Sequence, residues 1–409
     1  MSTSRNAPAG TRQAYPFRPP RVTESSQPDN SFILKDLGDK VAKFKRSTAT
    51  LSPVEITNVK PIASYSWIEA ATPTIAVPGS PRVWFTGPQR VPADSGTRFV
   101  DQNAFYMRKM SPLIPLFAAI DDMNPSFNFK QFDFITDRNN LRKLLRWASG
   151  SPDEKDFRID IDVAGTTCLF TRLEAQNTDT VQGFMGYAHE YEKAATRVTR
   201  GCERATGHHR MISIDIGELK VLLRFTIEAC TSSTNDTNDE DDLLAAFSGL
   251  GIGGASVSSS RDTKKPQATV PTVRGVTIRQ TTPRKVVPQS SLIELKTRAA
   301  RREIDWAEVY PQLYLSQTAF LYIAKHERGS FNTLEKVELG SESMQTHARR
   351  TQQGVAKLKL VLQDILDAVK KEDVGVGLSL VAKDGKLALY KRHEGTGKGP
   401  GKDITDKFN

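Results

Sequence analysis

Apolar and polar residues alternate through "FRIDIDV" (157–163), the pattern of a half-buried strand, and Ala164-Gly165 turns it into "TTCLFTR" (166–172), its expected hairpin partner. Short strands are expected at "ASYSWI" (63–68), "PTIAVPG" (73–79) and "MISIDI" (211–216). "KVLLRFTIEAC" (220–230) is apolar almost throughout, as suits a central strand covered on both faces. "PLIPLFAAIDDM" (112–123) reads as a helix, and "FDFITDRNNLRKLLRWA" (132–148) as a strand that turns at Thr136-Asp137 into an amphipathic helix. A further helix starts around "GYAHE" (186–190) and continues through "EKAATRVT". "VRGVTIRQT" (273–281) and "SSLIELKTRA" (290–299) read as strands, and "VYPQLYLSQTAFLYIAKHE" (309–327) as helix then strand. "VAKLKLVLQDILDAVKKE" (355–372) is an amphipathic helix, followed by a hairpin that turns at Asp384-Gly385. This mixture predicts an α+β or mixed α/β fold, with a central mixed sheet flanked by helices and no internal repeat.

Composition divides the chain. Residues 1–50, rich in Ser, Pro, Arg and Thr, are expected to be a disordered basic arm, and 51–392 a single domain. Within it, 231–272 runs from "STNDTNDEDD" to "GLGIGGASVSSSRDTKKP" and reads as a flexible insertion. Residues 393–409 read as a basic Gly/Lys-rich tail. The first 23 residues hold Arg5, Arg12, Arg18 and Arg21 and no acid, which also suits a mitochondrial transit peptide. Pro8, Pro16, Pro19 and Pro20 would break the helix such peptides form, so nucleus or cytoplasm is the expected location and the mitochondrion the alternative.

Charge adds a partner class. Lys plus Arg number 57 against 47 acids, a net +10 that favours a polyanion. Cys168, Cys202 and Cys230 form an odd set without CxxC spacing, against a disulfide framework or structural zinc and in favour of a reducing compartment. No apolar run approaches the roughly 20 residues needed to span a bilayer, so no membrane partner is expected.

Several motifs are poor sites. "GLGIGG" (249–254) matches a dinucleotide fingerprint but follows an acidic polar run where that fold needs a buried strand. His208-His209, six residues after Cys202, lacks a zinc pattern and reads as a surface loop. Asp121-Asp122 lacks the second acidic pair of prenyl diphosphate chemistry.

"LIELKT" is more informative, because Glu294 and Lys296 fall on one face of a strand. A surface ion pair would look the same. So would one half of a phosphodiesterase site, the acid holding a divalent cation and the lysine orienting water. Glu228 ends another apolar strand and Glu190 starts a helix, so three acids and one lysine from different elements could converge on one or two magnesium ions.

In chain order these strings resemble the decapping exoribonuclease (DXO) family, whose fold is similar to the PD-(D/E)XK nucleases. "DFITDRNNLRKLL" resembles the family's strand-arginine-helix segment, "GYAHE" its Gly-aromatic-x-x-Glu, and "ELK" its Glu-hydrophobic-Lys. "TIE" (226–228) falls where the family has Glu-hydrophobic-Asp, and "PQLYLSQTAFLYIAKHERG" (311–329) resembles its following helix and strand. The resemblance implies metal ligation by Glu190, Glu228, Glu294 and the Leu295 carbonyl, with Mg or Mn as cofactor. It implies that Lys296 positions water, Gln312 supports the site and Arg138 contacts an RNA phosphate.

Two departures bear on activity. Thr226 stands where the family has an acid, and the lysine usual before the glutamine is replaced by "IDWAEVYPQ". The resemblance therefore implies a metal-dependent hydrolase of RNA 5′ ends, of decapping, pyrophosphohydrolase or 5′–3′ exonuclease type. The alternative is a catalytically impaired RNA-binding or adaptor protein that recruits partners through its disordered segments.

Overall fold

A computed structural model describes residues 31–152, 154–180, 183–232, 272–373 and 375–409. The glycine-rich "GLGIGG", the acidic run before it, most of the expected insertion and the first thirty residues lie outside the described residues.

The hairpin expected from "FRIDIDV" is present, with Phe157–Ala164 antiparallel to Thr167–Leu173, and it sits inside a twelve-stranded mixed sheet. On one side follow the hairpin Leu378–Lys383/Lys386–Arg392 and the edge strand Leu37–Phe44. On the other, Phe134–Asp137 and Leu219–Ile227 join in parallel, and then Ala205–Ile216, Ile56–Ile68, Thr74–Val77 and the hairpin of Thr272–Val273 with Val276–Gln280.

The apolar run of Leu219–Ile227 is explained by two cores. Val221, Leu223 and Phe225 pack with the helices Arg138–Ser149 and Gln345–Val369, whereas Leu222 packs with the helix Ile114–Met123. Successive side chains leave a strand on opposite faces, so a sheet covered on both sides favours apolar residues at successive positions; the buried exception, Arg224, is paired with Asp137.

The domain extends beyond the boundaries drawn at residues 50 and 392. Leu37–Phe44 pairs with the last hairpin, and Lys402–Thr405 forms a short helix. Ile404 and Phe408 are buried with Phe117 and Phe129, so apolar anchors at wide spacing hold a segment whose composition suggests a tail. The histidine pair also differs from its expected place. His208 and His209 lie buried on Ala205–Ile216, where His208 Nδ1 shares a hydrogen bond with Ser66 Oγ and His209 Nε2 with Gln102 Oε1, both at 2.9 Å. Cys168, Cys202 and Cys230 are free and buried, and among the described residues no helix is long and apolar enough to cross a membrane.

A second sheet of six strands positions the site. Its order is Thr196–Arg197, Arg82–Trp84, Ala229–Cys230, Leu292–Ala299, Phe320–Glu327 and Ser330–Glu338. The chain from Leu219 to Cys230 belongs to both sheets, leaving the large one at Ile227 and entering the small one at Ala229.

Candidate active site

Glu228 is the residue at that crossing. It lies in neither ladder, and the strand Leu292–Ala299 pairs with Ala229 and Cys230 only through Ile293 and Leu292. Beyond Ile293 that edge of the strand is open to Glu228, whose Oε2 accepts a hydrogen bond from the Leu295 amide at 2.5 Å. The N–H and C=O of one strand residue leave on the same edge, so the Leu295 carbonyl shares the side that faces Glu228.

Period-two alternation places Glu294 and Lys296 together, as the sequence requires. Lys296 Nζ lies 2.5 Å from Glu294 Oε1 and 4.0 Å from Glu228 Oε1. Glu294 is only 2 % exposed, and Gln312 Nε2 donates a short hydrogen bond to the same Oε1. Gln312 comes from the helix Trp306–Ser316, which Asp305 caps by accepting a hydrogen bond from the Ala307 amide. The other carboxylate oxygen, Oε2, is buried without a hydrogen bond and has Arg138 Nη1 at 3.5 Å.

Arg138, expected to contact an RNA phosphate, lies beside Glu294. It opens the helix Arg138–Ser149, donates to Ser316 Oγ at 3.0 Å and lies over the Phe225 ring. Its guanidinium is buried behind Glu294 and stabilises that acid.

Glu190 is not brought to this group. Its carboxylate accepts a hydrogen bond from Lys193 at 2.9 Å, and its amide donates to Asp94 Oδ1 at the start of the helix Ala188–Ala195. Glu192, two residues on, takes the inward role. Residues i and i+2 of a helix are about 200° apart, so when one faces the sheet the other faces away. Burial, then Glu228, raises the Glu192 pKa to about 8, with Glu294 adding to the rise and Arg82 and Lys296 opposing it. Glu190 ends the Gly-aromatic-x-x-Glu string, but "EYE" offers two acids, and only the helix phase distinguishes them.

The electrostatics form one coupled set. Burial and then Glu294 push Glu228 up to about 7, against Lys296 and the Leu295 amide. Burial also disfavours the Glu294 carboxylate, but Lys296 and Arg138 outweigh it and hold the acid below its usual range. Lys296 is disfavoured by burial yet raised above the usual lysine value by Glu294 and Glu228. Thr226 is an exposed residue of Leu219–Ile227 and supplies no carboxylate where the resemblance has one.

Among the described residues, no three His, Cys, Asp or Glu side chains stand as a ready-made metal site. Lys296 holds Glu294 Oε1, and Glu228 Oε2 is turned to a backbone amide. The donor types nonetheless fit a hard divalent cation: three carboxylates and a carbonyl are oxygen ligands, and Glu294 Oε2 is buried without a hydrogen-bond partner. Glu192 and Glu228, raised first by burial and then by a neighbouring carboxylate, are the groups a cation would stabilise.

The fold is similar to that of S. pombe Rai1 in complex with 3′-FADP, at a TM-score of 0.55 and 12% identity, covering 86% of this chain and 99% of that one. It is also similar to Scheffersomyces stipitis Rai1 in complex with (3′-NADP)+ and calcium ion, at a TM-score of 0.54 and 11% identity, covering 90% of this chain and 99% of that one. The expected decapping-exoribonuclease fold is thus present, with a mixed sheet flanked by helices. No curated protein matches the sequence. A family model described as a domain of unknown function, DUF8563, matches residues 42–393, and the chain belongs to that family.

Proposed function

We propose that the protein is a divalent-cation-dependent hydrolase of RNA 5′ ends, of decapping, pyrophosphohydrolase or 5′–3′ exonuclease type. The observation that carries this reading is the meeting of Glu228, Glu294 and Lys296 at the seam between the two sheets, with Glu192 in electrostatic reach. The net charge of +10 suits a polyanionic substrate, and the similar Rai1 structures hold 3′-FADP or (3′-NADP)+ with calcium.

Glu192, Glu228, Glu294 and the Leu295 carbonyl would hold the cation, Mg or Mn. When bound, it supplies Lewis-acid polarisation of a phosphoryl oxygen and acidifies water. Glu294 and Glu228 outweigh the burial of Lys296 and favour its ammonium form, which suits charge neutralisation and water orientation. Gln312 and Arg138 are positioning residues that fix the two oxygens of Glu294.

Thr226 favours a second reading, in which the same surface binds RNA and chemistry is lost. Purified protein incubated with 5′-triphosphate and capped RNA, with Mn²⁺ or Mg²⁺, separates them. Product release abolished by Glu294→Ala supports the hydrolase. Salt-dependent RNA binding without turnover on any 5′ end selects the binding protein, and absence of both overturns the two together.

A further inference from the structure

The helices Arg138–Ser149, Trp306–Ser316 and Gln345–Val369 line a part-open cavity of about 650 Å³. None of Glu192, Glu228, Glu294 or Lys296 lines it. Its volume lies within the roughly 300–1,000 Å³ of small-molecule sites.

Among the described charged residues of its wall, cations outnumber acids: Arg142, Arg146, Lys155 and Arg350 face Asp305 and Glu308. The two acids are already engaged. Asp305 Oδ1 accepts from the Ala307 amide at 3.0 Å, and Glu308 Oε1 is shared by Arg146 at 2.7 Å and Arg142 at 3.4 Å. Lys155 and Arg350 are exposed and have no acidic partner among the described residues. Burial, then Arg138 and Arg146, push the Arg142 guanidinium down to about 10, with Glu294 and Glu308 opposing the fall.

Two rings stand among the uncharged residues of the wall. Trp306 and His347 stack with ring centroids 5.2 Å apart and planes 28° from parallel, and both line the cavity. A bare phosphate would use the cations and leave this flat surface and most of the volume unfilled.

We propose that the cavity is a mononucleotide site, separate from the acid cluster. Arg146, Lys155 and Arg350 take the phosphates through charge-assisted hydrogen bonds, and the base lies against the Trp306–His347 stack. The site does not depend on hydrolysis at Glu294.

Calorimetric titration of the full chain in EDTA tests it, with ATP, AMP and pyrophosphate as probes, because no divalent cation is then available to the acid cluster. ATP is expected to saturate one site, with pyrophosphate at least about tenfold weaker for want of a base. The Lys155→Glu/Arg350→Glu double variant changes two exposed side chains and should weaken ATP at least about tenfold while keeping the parent's circular dichroism and melting profile. No saturable ATP binding, or parental affinity in the double variant, overturns the site. Equal affinity for ATP and pyrophosphate overturns the nucleotide assignment. RNA 5′-end turnover by the same preparation reports on the acid cluster alone, so failure of either proposal is recognised separately.

Discussion

Glu228 Oε2 accepts the Leu295 amide at 2.5 Å at the point where the chain passes from a strand of the large sheet to a strand of the small one. That contact binds an acid from one run of sequence to the backbone of the Glu294–Lys296 strand. It places three charged side chains around an edge that neither ladder uses.

Removing the Glu294 charge should cost stability as well as activity. Glu294 is buried between Lys296 and Arg138, so Glu294→Gln leaves two cations without their shared counter-ion. A loss of about 3–5 kcal/mol in urea unfolding at neutral pH is expected. A loss under about 1 kcal/mol would show that the cations find other partners.

The two glutamates of the helix Ala188–Ala195 should separate cleanly. Glu192→Gln should weaken Mn²⁺ binding, measured by calorimetry, by at least about tenfold. Glu190→Gln should stay within about twofold, since its carboxylate is held by Lys193 on the outer side. The reverse order would restore Glu190 as the ligand.

Phe408, close to the C-terminus, packs on Phe117 and Phe129 at centroid distances of 6.2 and 5.8 Å. Phe408→Ala should destabilise by about 3 kcal/mol in chemical denaturation. An unchanged midpoint would mean that the terminal segment is not part of the cooperative core.

Glu174 offers a test of pH dependence away from the acid cluster. Burial alone would raise its pKa, but Arg172 and Lys143, at 2.6 and 2.5 Å, outweigh it and hold it below the ordinary 4.5. A depressed folded-state pKa gives stability that is complete above 4.5 and lost as pH falls through the folded value. The advantage of the parent over Glu174→Gln should therefore be constant at neutral pH and shrink in acid. An advantage that grows on acidification would contradict the assignment.

Much of the fold is legible in the chain. The period-two pattern of Phe157–Ala164, the Asp384-Gly385 turn and the strand-to-helix change at Asp137 are local signals, and each element stands where its pattern puts it. The Glu294-Lys296 pair was readable for the same reason, because alternation along one strand fixes which side chains share a face. The buried histidines were not, since a polar pair on a central strand is accommodated by Ser66 and Gln102, which are distant in sequence.

The sequence by itself determined the strands with clear alternation and the amphipathic helices of the central part, and that Glu294 and Lys296 project together, because backbone periodicity is a local property. Only the tertiary structure decided that Glu192 and not Glu190 faces Glu228, that Arg138 lies behind an acid, and that Phe408 anchors the end of the chain. Helix rotation, burial and the crossing of two sheets are set by packing between residues far apart, and no short stretch of sequence contains that information.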